Sequence, residues 1–279
     1  MYETFYGFRE RPFSLLPDPA FLFLSRQHRH ALTLLDYALS QGTGFALITG
    51  TIGSGKTTLL RHILARNESA VTFGYLTNTR RTMGSMLPWV GRSLGISADN
   101  RGEPEMYDAF VAFLMKEYTA GRRVALIVDE AQNLSPEALE ELRLLSNLNS
   151  ERNLMLQTIL VGQPELRQTL RKPDLYQVAQ RIAIDYHLDK LPRADTREYV
   201  RHRLVTAGGS PDIIAADAID LLHASTDGVP RLINLVCDMA LVYGFAEQQR
   251  RIDVDLLRQV IRDRSSGGLL ALDCDAANV

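Results

Sequence analysis

Gly50-Thr-Ile-Gly-Ser-Gly-Lys-Thr57 fits G-x-x-x-x-G-K-[ST] at every position. The residues before it, Phe45-Ala-Leu-Ile-Thr49, form a short apolar run of strand type. Those after it, Leu59 to Ala65, have helical spacing. The motif therefore stands in a strand–loop–helix context, which its chemistry requires. Glycines at 50, 53 and 55 let the backbone curl until several N–H groups point inward. Those donors, with the positive end of the following helix, make a seat for phosphates. Gly50, Thr51, Ile52, Gly53, Ser54, Gly55, Lys56, Thr57 and Thr58 are the expected nucleotide-binding set. Lys56 is expected to reach the β- and γ-phosphates, and the Thr57 hydroxyl to ligate Mg²⁺.

A second stretch supports the first. Val124-Ala-Leu-Ile-Val128 is an unbroken apolar run, as a parallel strand buried on both faces would be. Asp129-Glu130 follows it, so both carboxylates fall at the C-terminal edge of the strand, where open α/β sheets bind ligands. Asp129 is expected to hold Mg²⁺ through water, and Glu130 to act on the attacking water as its base or orienter. Ser135 and Pro136 already serve as N-cap and N1 of the next helix, so the acidic pair is not needed there. Gln163 follows another apolar run, Leu156–Val161. If that strand neighbours 124–128, the Gln163 side chain can reach the γ-phosphate or the lytic water. Together the motifs imply a P-loop ATPase dependent on ATP and Mg²⁺.

Strands are expected at 45–49, 71–76, 124–128, 156–161 and 182–187. Helices are expected at 25–41, 59–65, 82–95, 104–120 and 136–148. Alternation of this kind makes a parallel α/β sheet flanked by helices. After Leu191-Pro192 the strand signals stop. Residues 195–207, 215–225, 230–247 and 253–264 all read as helix, punctuated by Gly208-Gly209-Ser210-Pro211 and Asp227-Gly228-Val229-Pro230. The expected organisation is a nucleotide-binding base over 1–190, an all-helical lid over 191–264 and a flexible tail over 265–279. Residues 1–24 are rich in aromatics and proline and read as a strap packed onto a core.

Composition narrows the function classes. The chain has 279 residues and a formal net charge of −2, with 46% hydrophobic and 23% charged residues, so wholesale disorder is excluded. Near-neutral charge argues against a dedicated polybasic nucleic-acid binder. Cys237 and Cys274 have no metal-ligand spacing. His28 and His30 lie two apart and do not share a helix face, so they are not a metal pair. Arg80-Arg81 and Arg122-Arg123 read as solvated surface. The N-terminus lacks the pattern of a signal peptide, and no apolar run is long enough to span a membrane, so a cytoplasmic location is expected.

Several stretches, taken together, resemble one family. They are Tyr2-x-x-Phe5-Tyr6-Gly7-Phe8, Arg11-Pro12-Phe13, Pro17-Asp18-Pro19-x-Phe21, Ser25-x-x-His28-x-x-Ala31-Leu32, Gly44-Phe45, Val128-Asp-Glu-Ala-Gln-Asn-Leu134, Leu160-Val-Gly-Gln-Pro-Glu-Leu166 and Gly228-x-Pro-Arg231. They resemble the GspA/ExeA group of AAA+ ATPases over about residues 1–262. The resemblance makes Gln163 the sensor 1 residue and Arg231 the sensor 2 residue, which swings over the γ-phosphate. It makes Arg181, just before the last strand, the finger that faces a neighbouring subunit's nucleotide, with Arg167 and Arg171 as rivals. It also implies a homo-oligomer, ring or filament, and protein partners in building an envelope structure for secretion, pili or exopolysaccharide.

General-secretion members continue into a transmembrane helix and a peptidoglycan-binding domain, and neither falls within these 279 residues. Recruitment to the inner membrane is therefore expected through a partner. The loop reads Thr51-Ile-Gly-Ser54 where the group commonly has Glu-Val-Gly and a small residue, a change that leaves the phosphate amides in place. The alternative reading is a DNA-associated helper of transposition, of the TniB or TnsC type. Residues 191–264 carry ten arginines and no lysine against eleven acidic residues, which disfavours a lid that grips a phosphate backbone.

Overall fold

The computed structural model describes all residues except 17, 67–69, 78, 80–83, 98–101, 149–154 and 268–279. In chain order its elements are α1 (Glu3–Tyr6), α2 (Arg26–Gln41), β1 (Phe45–Gly50), α3 (Lys56–Leu64), β2 (Val71–Leu76), α4 (Leu87–Ser93) and α5 (Glu103–Thr119). There follow β3 (Arg123–Val128), α6 (Pro136–Leu145), β4 (Leu156–Gly162), α7 (Pro164–Leu170), α8 (Tyr176–Gln180) and β5 (Ile182–Leu188). The chain then runs through α9 (Arg193–Thr206), α10 (Ala216–Thr226), α11 (Pro230–Ala246) and α12 (Val254–Gly267). Two compact units result. One holds Arg29–Thr51 and Ile63–Leu188, and the other Met1–His28, Ile52–His62 and the residues from Asp189 onward.

The first unit is built on a five-stranded, wholly parallel sheet of order β2-β3-β4-β1-β5. Val124 to Val128 are buried to the last residue, and β1 and β4 are buried along their whole length. This is why these segments read as continuous apolar runs rather than alternating ones. The edge strands β2 and β5 are only partly covered. In register, Thr49 lies opposite Gly162 and Val128 opposite Leu160. Gly50, Asp129 and Gln163 therefore leave the sheet along one C-terminal edge. Ser135 caps α6 by accepting the Ala138 N–H at 3.2 Å, with Pro136 at the first helical position. The 82–95 expectation resolves to α4, the residues 82 and 83 lying outside those described.

The second unit is helical apart from its loops. Its core joins Tyr2, Tyr6, Phe8, Phe13 and Phe21 to Val200, Leu204, Ile233, Val236, Leu241, Leu257 and Ile261 of α9, α11 and α12. Residues 1–24 fall within the expected 1–190 base, yet Tyr2, Tyr6, Phe8, Phe13 and Phe21 are buried in the helical core. Burial of each such ring contributes roughly 1.5–3 kcal/mol. Arg203 of α9 fixes the crossing. It donates to the Pro12 carbonyl and, at 3.1 Å, to the Ser14 carbonyl, and it lies 4.8 Å over the Phe21 ring. Helix α12 also runs to Gly267, beyond the expected end at 264. Ser265 Oγ donates to the Ile261 carbonyl and Ser266 Oγ to that of Asp263, so these small residues close onto the helix rather than leave it. The remainder of the expected tail lies outside the described residues, as do Cys274 and the Arg80-Arg81 pair.

Candidate active site

At the sheet edge, Asp129 is buried and its two oxygens are both engaged. Oδ1 accepts the Glu130 N–H at 2.9 Å, and Oδ2 accepts the hydroxyl of Tyr75 from β2 at 3.1 Å. Glu130 itself has φ 52° and ψ 37°, the left-handed region that a residue with a Cβ enters at a cost of about 1–3 kcal/mol. Thr79, also buried, holds that backbone by donating to the Glu130 carbonyl at 2.8 Å, with the Asp129 carbonyl at 3.2 Å. The turn aims the Glu130 carboxylate at two amides. Glu130 Oε2 accepts from Gln132 Nε2 at 2.5 Å and from Gln163 Nε2 at 3.4 Å. Gln132 Oε1 in turn accepts the Gln163 backbone N–H at 3.0 Å. A carboxylate held in this way is fixed in direction, with lone pairs left for a water.

The glycine-rich loop from 52 onward, with the start of α3, belongs to the helical unit. Gly53 (φ 81°) and Gly55 (φ 99°) both lie in the left-handed region. A Cβ at Gly53 would collide with the Cβ of Arg231, whose backbone N–H donates to the Gly53 carbonyl at 3.3 Å. Ser54 Oγ is buried and makes no hydrogen bond within the protein, and Lys56 is buried at 6% exposure. An orphaned hydroxyl, a buried ammonium and two glycines in one turn suit an anion that brings its own acceptor oxygens. The Thr57 hydroxyl of one unit and the Asp129 carboxylate of the other are each hard oxygens of the kind Mg²⁺ takes. Among the described residues no group of three or more His, Cys, Asp or Glu could hold a metal ion. Mg²⁺ commonly needs only one or two protein oxygens beside phosphate and water.

The expected residues thus fall into two sets. Asp129, Glu130 and Gln163 are brought together with Gly50 along one sheet edge. Gly53 is brought against Arg231 at the first turn of α11, where the Arg231 side chain is exposed. Arg181 is engaged within its own chain. It donates to the Arg143 carbonyl at 3.3 Å, to Ser146 Oγ at 2.5 Å and to Asn147 Oδ1, so it caps the C-terminal end of α6. Arg167 pairs with Asp185 at 2.5 Å, and Arg171 is exposed. Tyr75, Thr79 and Gln132 join the site without a sequence motif that assigns them to it. Gln132 had a signal, since it lies two residues past Glu130.

Sheet, loop and acidic pair define a P-loop ATPase of the AAA class, and residues 39–170 match the family model described as an AAA domain. Over 253 residues the chain is 42% identical to general secretion pathway protein A of Aeromonas hydrophila, covering 90% of this chain and 46% of that protein. This is a GspA/ExeA-like AAA ATPase, and it spans about half the length of that curated relative. Among solved structures, the ORC2 protein of Aeropyrum pernix matches with a TM-score of 0.69 at 20% identity, over 94% of this chain and 74% of that one. The Cdc6p of Pyrobaculum aerophilum matches with a TM-score of 0.66 at 16% identity, over 89% and 71%. At such identities the likeness is one of fold. No helix among the described residues is long and apolar enough to cross a membrane.

Proposed function

We propose that the chain hydrolyses ATP with Mg²⁺ and uses the cycle to drive assembly of a cell-envelope machine through protein partners. The observation that carries the hydrolytic reading is the Glu130 carboxylate held by Gln132 and Gln163 beside Asp129. In this reading residues 50–58 bind the phosphates, and Lys56 steadies the β- and γ-phosphates. Thr57 and Asp129 would hold Mg²⁺, which supplies neutralising charge on the phosphate oxygens when bound. Glu130 orients the attacking water and takes its proton. Gln163 keeps Glu130 in register and reads the terminal phosphate. Arg231 follows the nucleotide state through its place at the start of α11.

The envelope role rests on the 42% identity to general secretion pathway protein A. The reading includes a cytoplasmic location, with recruitment to the inner membrane by a partner, and a homo-oligomer. Arg181 serves as finger to a neighbouring subunit only by releasing the end of α6, and Arg167 and Arg171 remain its rivals. Specific activity that stays flat from nanomolar to tens of micromolar protein would remove the finger in trans.

The decisive variant is Glu130→Gln. Its kcat should fall at least about 10²-fold, about 2.7 kcal/mol of barrier, while ATP binding persists. Near-normal turnover would take the base role from Glu130. In cells, loss of the chain should block assembly of an envelope system. The wild type should restore it and Glu130→Gln should not. An envelope unaffected by the loss would sink the assembly role and leave the ATPase standing.

A further inference from the structure

Two consecutive carbonyls of the glycine-rich loop are occupied by donors from outside it. The Gly53 carbonyl takes the Arg231 backbone N–H, and the Ser54 carbonyl lies 3.2 Å from His28 Nε2. A trans peptide points its C=O and N–H in opposite directions. Fixing the Ser54 carbonyl toward His28 therefore turns the Gly55 N–H away from the ring, and the Gly53 anchor does the same for the Ser54 N–H. These are amides of the phosphate seat.

The histidine is built for this contact. It is buried at 4% exposure, and burial pushes its imidazole below its ordinary pKa, toward the neutral form. Ser25 Oγ lies 2.7 Å from His28 Nδ1 and also accepts the His28 backbone N–H at 3.3 Å. When the Ser25 hydroxyl donates to Nδ1, the ring proton is left on Nε2, the atom that faces the Ser54 carbonyl. A Cβ at Gly55 would lie 2.8 Å from His28 Nε2, so the ring fills the space that only glycine leaves open. Ser25 directly follows the strap, whose Phe23 packs edge-on against Tyr199 at 5.8 Å and whose Phe21 lies under Arg203.

We propose that His28 is a positioning residue for nucleotide binding: it holds the Ser54 carbonyl, thereby aims the Gly55 amide at the phosphates, and makes the N-terminal strap part of the apparatus that sets ATP affinity. This rests on residues 50–58 binding ATP. The ring itself touches no nucleotide, and its effect passes through one peptide plane. It follows that affinity changes while the chemical step does not.

The test measures ATP Kd by calorimetry, with KM and kcat, on the full chain. His28→Leu keeps bulk without a donor and should weaken ATP binding about five- to tenfold, the worth of one hydrogen bond, with kcat little changed. His28→Gln places an amide Nε2 where the ring Nε2 lay and should return Kd to within about twofold of wild type. Wild-type affinity in His28→Leu overturns the proposal. So does a Gln variant as weak as the Leu variant, since packing alone would then be at stake. If His28→Leu does not fold, Ser25→Ala decides, with an expected loss of about twofold or more and an unchanged Kd as the contrary result. Lys56→Ala, measured in parallel, separates the two levels. If it binds ATP as the wild type does, the phosphate-site reading fails, whatever His28 does.

Discussion

In the sheet unit, Asp129 and Gln163 stand at the ends of neighbouring parallel strands. Their spacing is set by the ladder that pairs Val128 with Leu160. In the helical unit, Gly53 and Ser54 lie on a loop with no ladder, and their carbonyls are held one by one, by Arg231 and by His28. Asp129 and Gln163 are thus placed by backbone pairing, with the Glu130 carboxylate held by the Gln132 and Gln163 amides, whereas the groups assigned to phosphate binding depend on side-chain and helix-end anchors. A ladder shares its load among many bonds, whereas an anchored loop depends on each anchor. Perturbations in the sheet unit should therefore act on turnover, and those in the helical unit on affinity and stability.

The largest expected effect tests that division at its strongest point. Lys56→Ala should abolish measurable ATP binding in calorimetry, because under the proposed function the buried Lys56 supplies the only positive side chain in residues 50–58 to the phosphates. Tight binding retained in that variant would mean that the loop does not bind the phosphates.

Next comes the anchor of the strap. Arg203→Leu removes donors from the Pro12 and Ser14 carbonyls and from the Tyr199 hydroxyl, and leaves those carbonyls without their partner. It should cost about 2–3 kcal/mol, read as a lower Tm, and should open residues 1–24 to protease. If the strap stays protected at an unchanged Tm, its rings hold without the arginine.

How much of this was open to the sequence differs between the two units for the same reason. Val124–Val128 reads as a buried strand because five apolar residues in a row have no polar face, and the structure makes it an interior strand. The loop and acidic pair are legible because phosphate and magnesium chemistry demand those residues in that order. The destination of the strap is not legible. Aromatic residues record that they are buried, not what buries them, and Phe21 meets Arg203 of α9 far along the chain. His28 reads as one helical histidine among six in the chain until the loop closes over it. Gln132 is a middle case. It lies in sight of Glu130, but its second bond, to the Gln163 N–H, depends on β3 and β4 being neighbours.

That bond gives a smaller prediction. Gln132→Ala releases one side of the Glu130 carboxylate and one tie between the strand ends. It should lower kcat about tenfold through misplacement of the base, with ATP Kd near wild type. A change in Kd of the same size, seen by calorimetry, would mean that the sheet edge also sets affinity.

Acid should separate the two units more gently. His28, His202 and His223 all lie in the helical unit, and burial lowers the pKa of each in the fold. A histidine whose folded pKa is depressed binds its proton more readily when unfolded. Their contribution to stability is therefore complete above about pH 6.5 and declines as the pH falls below it. Glu117 in the sheet unit behaves as an acid with its pKa lowered to about 2, chiefly by the Arg122 guanidinium and the Thr72 hydroxyl. Its contribution is complete above the ordinary glutamate range and is lost only as the pH falls from there toward about 2. Between pH 6.5 and 5 the histidines titrate and this glutamate does not, so the loss of Tm over that interval should belong to the helical unit. His28→Gln should make that slope shallower and leave the loss below pH 4.5 unchanged. A slope identical in wild type and variant would show that the other two histidines, not the one anchoring the loop, carry the acid response.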